Sequence, residues 1–95
     1  MRYKVGDKVV IRKGLIEKRY PYENGIRGLF FNGRMKELCG KTCTIFKITD
    51  LVLDEYNLSI DDKKIGWYFN NAMLLPAGSL RYLVMERRQQ YNESI

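Results

Sequence analysis

The sequence predicts a mainly β domain, a small barrel of about five short strands, and three observations predict it. β-Branched and aromatic residues gather in short runs with period-two alternation, at 4–12, 41–48, 56–60 and 65–69, the pattern of half-buried strands. Glycine, asparagine and aspartate punctuate the intervals between them, as turn chemistry requires. Ninety-five residues, 45% apolar and 13% aromatic, are enough for one packed core and too few for two.

Each element follows in order. Residues 4–12 place Val5, Val9 and Ile11 on one face of a first strand and Lys8 and Arg12 on the other, with Gly6-Asp7 as a bend or bulge at its start. Residues 13–34 hold four glycines, Pro21 and the turn dipeptide Asn24-Gly25 without sustained periodicity. A connection of that length in a compact domain is commonly functional or folded into an irregular hairpin. Residues 34–39 offer one helical turn, with Phe31, Met35 and Leu38 in phase and Gly40 as a left-handed cap. A second strand follows at 41–48 and is broken by Thr49-Asp50. In the third, Tyr56, Leu58 and Ile60 point in and Asn57 and Ser59 out; Asp61-Asp62-Lys63-Lys64 is a polar turn. Ile65, Trp67 and Phe69 share the inner face of the fourth strand, which leaves Tyr68 outside. Residues 70–73 read as a tight helical turn, and Leu74-Leu75 as a short closing strand before Pro76. Ser79 is a good helix N-cap, and Leu80, Leu83, Val84 and Tyr91 fit one face of a C-terminal helix. The expected organisation is a barrel over 1–76 and a helical tail over 77–95, the tail packing on the barrel or serving as a contact arm. Taken together, five strands, a long first loop and a helical turn before the last strand describe an SH3-like barrel.

The net charge is +6, and it is unevenly placed. Residues 1–41 hold eleven basic and four acidic residues (+7), residues 42–75 carry −2, and the last twenty carry +1. A localised positive field favours polyanions or an acidic protein surface. No apolar run has the length of a membrane span and the N-terminus does not read as a signal peptide, so a cytoplasmic protein is expected. Cys39 and Cys43 fit that compartment as two free thiols, Cys43 as a small core residue.

The chain has no histidine, which removes the usual general base and the commonest zinc ligand. Two cysteines fall short of a structural zinc site. Gly40-Lys41-Thr42 echoes the end of a phosphate-binding loop, but Met35 stands where that motif requires glycine, and a strand rather than a helix follows. The acidic pairs Asp54-Glu55 and Asp61-Asp62 are expected to be solvated at turns. No cofactor, metal or catalytic residue is expected. The constellation that remains is basic and aromatic: Arg12, Lys13, Lys18, Arg19, Tyr20, Tyr22, Arg27 and Arg34, with Tyr68 on the outer face. Such a set suits an acidic groove on a protein or phosphates and bases, and equally a solvated basic face with its tyrosines half buried.

The spacing of Val5, Val9, Ile11 and Arg12, then Phe31, Met35, Leu38, Gly40 and Lys41, then Tyr56 and Leu58, then Trp67, Phe69, Met73 and Leu74 resembles a group of small SH3-like proteins. Members occur in bacteriophages, prophages and gut bacteria such as Clostridia, and are related in shape to the Mind bomb SH3 repeats. The resemblance covers residues 3–75 and rests on core positions. It implies an SH3-like fold more than a function; with the absence of catalytic groups, the expectation is a non-enzymatic binding module, for example an inhibitor of a bacterial defence system. The expected partner is a protein, with nucleic acid as the alternative, and the chain is a monomer or a dimer through its tail.

Overall fold

The structure, a computed structural model, describes residues 3–25, 27–50 and 52–78; the expected tail helix lies outside the described residues. Within them the chain is mainly β. Strands β1 (Lys8–Ile11), β4 (Thr42–Asp50), β5 (Glu55–Ile60), β6 (Lys63–Asn70) and β7 (Leu74–Pro76) form one antiparallel sheet in the order β6-β5-β4-β1-β7. Strands β2 (Lys18–Pro21) and β3 (Gly28–Phe31) form a separate two-stranded sheet. Two short 3₁₀ helices, Gly33–Leu38 and Asn71–Met73, precede β4 and β7. The five-stranded sheet is open: β6 and β7 are its edges, and no ladder joins them.

The core lies on one face of that sheet. Val9, Ile11, Ile45, Tyr56, Leu58, Phe69, Met73 and Leu74 meet Phe31 from β3 and Met35 from the first 3₁₀ helix. Alternation places most of them: Tyr56 and Leu58 are buried in β5, with Asn57 between them half exposed. Val10 and Leu75, opposite one another on β1 and β7, are buried outside this cluster.

Of four expectations about the elements, three are corrected and one is decided between its alternatives. Val5, expected inside with Val9 and Ile11, is 62% exposed. Gly6 adopts a left-handed conformation (φ 95°), and Asp7 N–H closes a turn on the Lys4 carbonyl, so the alternation restarts after the turn. Tyr3 enters the core instead, edge-on to Tyr56 with ring centroids 5.6 Å apart. Thr49 and Asp50 do not break the second strand of the sheet; Asp50 still pairs with Glu55. The turn begins just beyond, where the Asp50 carboxylate accepts from Leu53 and Val52 N–H (3.1 and 2.7 Å). Those donors hold its carboxyl below the usual carboxylate range. The third concerns residues 13–34, which take the second of the two forms expected for them. The long connection is a formed hairpin, with Lys18 opposite Phe31 and Pro21 opposite Gly28, so the described residues hold two strands besides the five of the main sheet.

The fourth concerns Asp54-Glu55. Asp61 and Asp62 are exposed in their turn, both with positive φ, but Asp54 is 5% exposed. Its carboxylate accepts from the N–H of Glu23 in the hairpin loop and of Asn71 in the second 3₁₀ helix, both at 2.9 Å. A buried carboxylate is tolerable when backbone donors replace its water. Glu55 accepts from Tyr22 Oη at 3.0 Å. Both acids therefore tie the hairpin to the sheet.

Candidate functional site

The hairpin carries most of the basic and aromatic candidates, and its register divides them between two faces. Directly opposite residues share a face, so Tyr20, Leu29, Lys18 and Phe31 form one and Arg19, Phe30, Pro21 and Gly28 the other. The first packs inward: Phe31 is fully buried, Tyr20 lies edge-on to it at 6.1 Å, and Lys18 Nζ sits 5.0 Å from the Tyr20 ring centroid. The second faces solvent. Phe30 is 46% exposed, the Arg19 guanidinium lies 5.9 Å from its centroid, and Arg19 Nη1 donates to the Gly28 carbonyl at 3.1 Å. Gly28 is required by contact rather than by φ: a Cβ there would stand 2.7 Å from Arg19 Cβ.

The other candidates disperse. Tyr22 is buried, bonded to Glu55 and deprived of water, which pushes its phenol up to about 12; its ring is not presented to a ligand. Arg12 is half-buried, with Nη1 directed at the Ala72 carbonyl at 3.5 Å. The stem of Lys13 lies over Gly40, with Cε 3.1 Å from where a Cβ would stand. Arg27 is exposed at the hairpin turn with φ 56°. Tyr68 is 49% exposed on the outer face of β6, as the alternation predicts.

Arg34 belongs to a different arrangement. An open groove of about 420 Å³ runs between the base of the hairpin and β6, lined by Glu17, Asn32, Gly33, Arg34 and Trp67. Its floor is set by local bonding. Asn32 caps the first 3₁₀ helix, its Oδ1 accepting from Arg34 and Met35 N–H (2.9 and 3.2 Å), and Gly33 N–H donates to Glu17 Oε1 at 3.0 Å. Those bonds engage the Asn32 side-chain oxygen, the Gly33 N–H and one Glu17 carboxylate oxygen. What the groove offers a ligand is the exposed Arg34 and the half-buried Trp67 indole in one lining, with the exposed Glu17 carboxylate held towards Gly33.

Trp67 packs against the core beside Ile65 and Phe69 as its alternation predicts, and the same indole also walls the groove. Glu17, Asn32 and Gly33 escape the sequence analysis. Asn32-Gly33 directly before Arg34-Met35 is an N-cap signal that would have started the helical turn one residue earlier; nothing local reveals that Glu17 returns to Gly33.

Cys39 and Cys43 are free thiols, Cys43 buried. Burial pushes the Cys43 thiol up to about 11, away from thiolate chemistry. Among the described residues, no group of three or more His, Cys, Asp or Glu is placed to hold a metal ion, and no helix is long and apolar enough to cross a membrane. No protein-family model, curated protein or solved structure matches the chain.

Proposed function

We propose that this chain is a non-enzymatic protein-binding module of SH3-like type, and that it takes an acidic peptide segment in the groove between Arg34 and Trp67. Support for the fold comes from the strand order β6-β5-β4-β1-β7, the hairpin folded within the long connection after β1, and the short 3₁₀ helix before the closing strand. The observation that carries the function is the pairing of a guanidinium with an indole in an open groove on a basic protein. Arginine and tryptophan are the side chains that most often anchor protein interfaces, and the positive N-terminal segment favours an acidic partner.

Trp67 is the sole tryptophan, so its fluorescence reports occupancy of the groove directly. Titration with a library of Asp- and Glu-containing peptides should change its emission in a saturable way, and Arg34→Glu should abolish the change while the fold persists. Emission that no acidic peptide alters, or that Arg34→Glu leaves responsive, would remove the proposal.

Nucleic-acid binding through the basic hairpin is the second reading, favoured by the solvent-facing Arg19–Phe30 pair. In that case charge reversal at Lys18, Arg19 and Arg27 weakens binding uniformly across base sequences.

A further inference from the structure

The side of the sheet turned away from the core carries a second surface. Register places its residues in two cross-strand rows. Lys8 pairs with Thr44, Thr44 with Ser59 and Ser59 with Lys64, across β1, β4, β5 and β6. Lys47 pairs with Asn57 and Asn57 with Tyr68, across β4, β5 and β6. The contacts agree with that register: Lys8 Nζ bonds to Thr44 Oγ1, and Ser59 Oγ lies 3.4 Å from the Thr44 carbonyl. Phe46 is the extra residue at the β4 irregularity between Ile45 and Lys47, and Lys64 Nζ lies 5.2 Å from its ring centroid.

These two rows hold three lysines, all exposed, one exposed tyrosine and three small polar side chains, and no carboxylate. Acids flank the rows: Asp50 and Glu55 form a further cross-strand pair beyond Lys47 and Asn57, with Glu55 engaged by Tyr22 and Thr49 and Asp50 by the Val52 and Leu53 N–H groups. Asp61 and Asp62 occupy the β5–β6 turn, and Asp7, next to Lys8, accepts from Lys4 N–H at 2.7 Å. Three strand spacings separate Lys8 from Lys64, about 14 Å at the usual distance between neighbouring strands, and Lys47 and Tyr68 lie in the adjoining row. Two alternatives fit poorly. A protein interface needs a desolvated apolar centre, and the only exposed large apolar or aromatic group in the rows is Tyr68. A duplex groove calls for a protruding element, whereas this surface is the face of a sheet. Lysines spaced across a sheet, with an aromatic ring among small hydrogen-bonding side chains, match a flexible polyanion whose bases are free to stack.

We infer that the outer face of β1, β4, β5 and β6 is a binding platform for single-stranded nucleic acid, with Lys8, Lys47 and Lys64 on phosphates and the Tyr68 ring stacked on a base. Successive residues of a strand point to opposite faces, so Tyr68 serves this surface while Trp67 serves the groove. The two sites are independent, and either can fail while the other stands.

The test is fluorescence anisotropy of labelled oligo(dT) and oligo(U) on the full chain at about 50 mM and about 200 mM salt. Wild type should bind both at low salt and weaken steeply at high salt. Lys47→Gln with Lys64→Gln should weaken binding about tenfold and lower the salt slope by about 1.4, the share of two phosphate contacts on a single strand. Tyr68→Ala should cost about 5- to 150-fold, the range for one stacked base. A variant reversing Lys18 and Arg19 should bind like wild type, and Trp67 emission should not respond to oligonucleotide. All substituted side chains are exposed, and an unchanged thermal midpoint confirms that each variant is folded. Absence of binding at low salt overturns the inference, as does equal affinity for a duplex of the same length. So does loss of binding in the hairpin variant with none in the Lys47/Lys64 and Tyr68 variants.

Discussion

The five-stranded sheet and the β2–β3 hairpin are held in opposite ways. The sheet stands on apolar burial: Val9, Ile11, Ile45, Leu58, Phe69 and Met73 are all fully buried on its core face. The hairpin contributes Phe31 to that core, but much of what fixes it is polar. Asp54 holds Glu23 N–H, Glu55 holds Tyr22 Oη, Glu17 holds Gly33 N–H, and Asn70 Nδ2 donates to the Tyr20 carbonyl at 2.8 Å. Hydrophobic contact is non-directional and sets only proximity, whereas hydrogen bonds set position and angle. An element whose outer residues face solvent is thereby held in a defined place over the sheet. The groove between Arg34 and Trp67 depends on that placement, since the hairpin base forms one of its walls.

The largest effect should come from breaking the sheet. Phe69→Ala removes a fully buried ring and is expected to cost about 4 kcal/mol, a large part of what a domain of this size has. Urea unfolding should show hairpin and sheet lost together in one transition. Asp54→Ala should cost somewhat less, about 3 kcal/mol, because it strands two backbone donors in a buried site. Its signature is where the cost falls. Amide exchange should accelerate at Glu23 and Asn71 well beyond any change at Leu58 or Ile45, and equal acceleration everywhere would erase the distinction between the two regions.

Gly28→Ala should act on the hairpin alone. The added methyl group meets the Arg19 side chain and backbone, and overpacking of this kind costs about 1–3 kcal/mol. The Arg19–Phe30 contact should be lost while core exchange rates hold.

The smallest effect is a pH dependence on the alkaline side. Burial raises the Cys43 thiol to about 11 and the phenols of Tyr3 and Tyr22 to about 12. The folded protein keeps protons that the unfolded chain has already released, so unfolding releases protons and rising pH drives it. Stability should hold below pH 9, fall from pH 9 to 11 through Cys43, and fall from pH 10 to 12 through the tyrosines. Cys43→Ala should flatten the first part of that fall, and Tyr22→Phe the later part. Alkylation at pH 8 should reach the half-buried Cys39 before the buried Cys43; the reverse order would contradict the burial of Cys43.

How far the sequence led follows the same division. Strands β4, β5 and β6 were legible because each buries one face, and burial writes period two into the residues, as at Tyr56, Leu58 and Ile60. The first 3₁₀ helix was legible through Phe31, Met35 and Gly40. The hairpin was legible only as one of two alternatives and without its strands, because residues 18–21 and 28–31 obey two different demands: Gly28 is there for close approach, Phe30 is an exposed aromatic, and Tyr22 is buried beyond the strand. Val5 misled because a left-handed Gly6 shifts the phase, and alternation carries no record of a turn inside it. Asp54 misled because an aspartate in a turn reads as solvated until its donors, 31 and 17 residues away, are seen. Candidate binding residues were legible as a class but not as a place. Basic and aromatic types could be counted in the first half of the chain, but only the fold separates the buried Tyr22 from the exposed Arg34 and sets Arg34 beside Trp67.

The hairpin base and β6 wall the groove proposed to receive an acidic segment. The most direct test is a ¹H–¹⁵N correlation spectrum of the labelled chain titrated with the best-binding acidic peptide. Saturable shifts are expected at the Trp67 indole N–H, the Gly33 amide and the Arg34 amide and guanidinium, with Asn24 and Gly25 at the hairpin tip unmoved. Shifts confined to the hairpin tip and the outer Arg19–Phe30 face, or no shift at Trp67 at saturation, would contradict it.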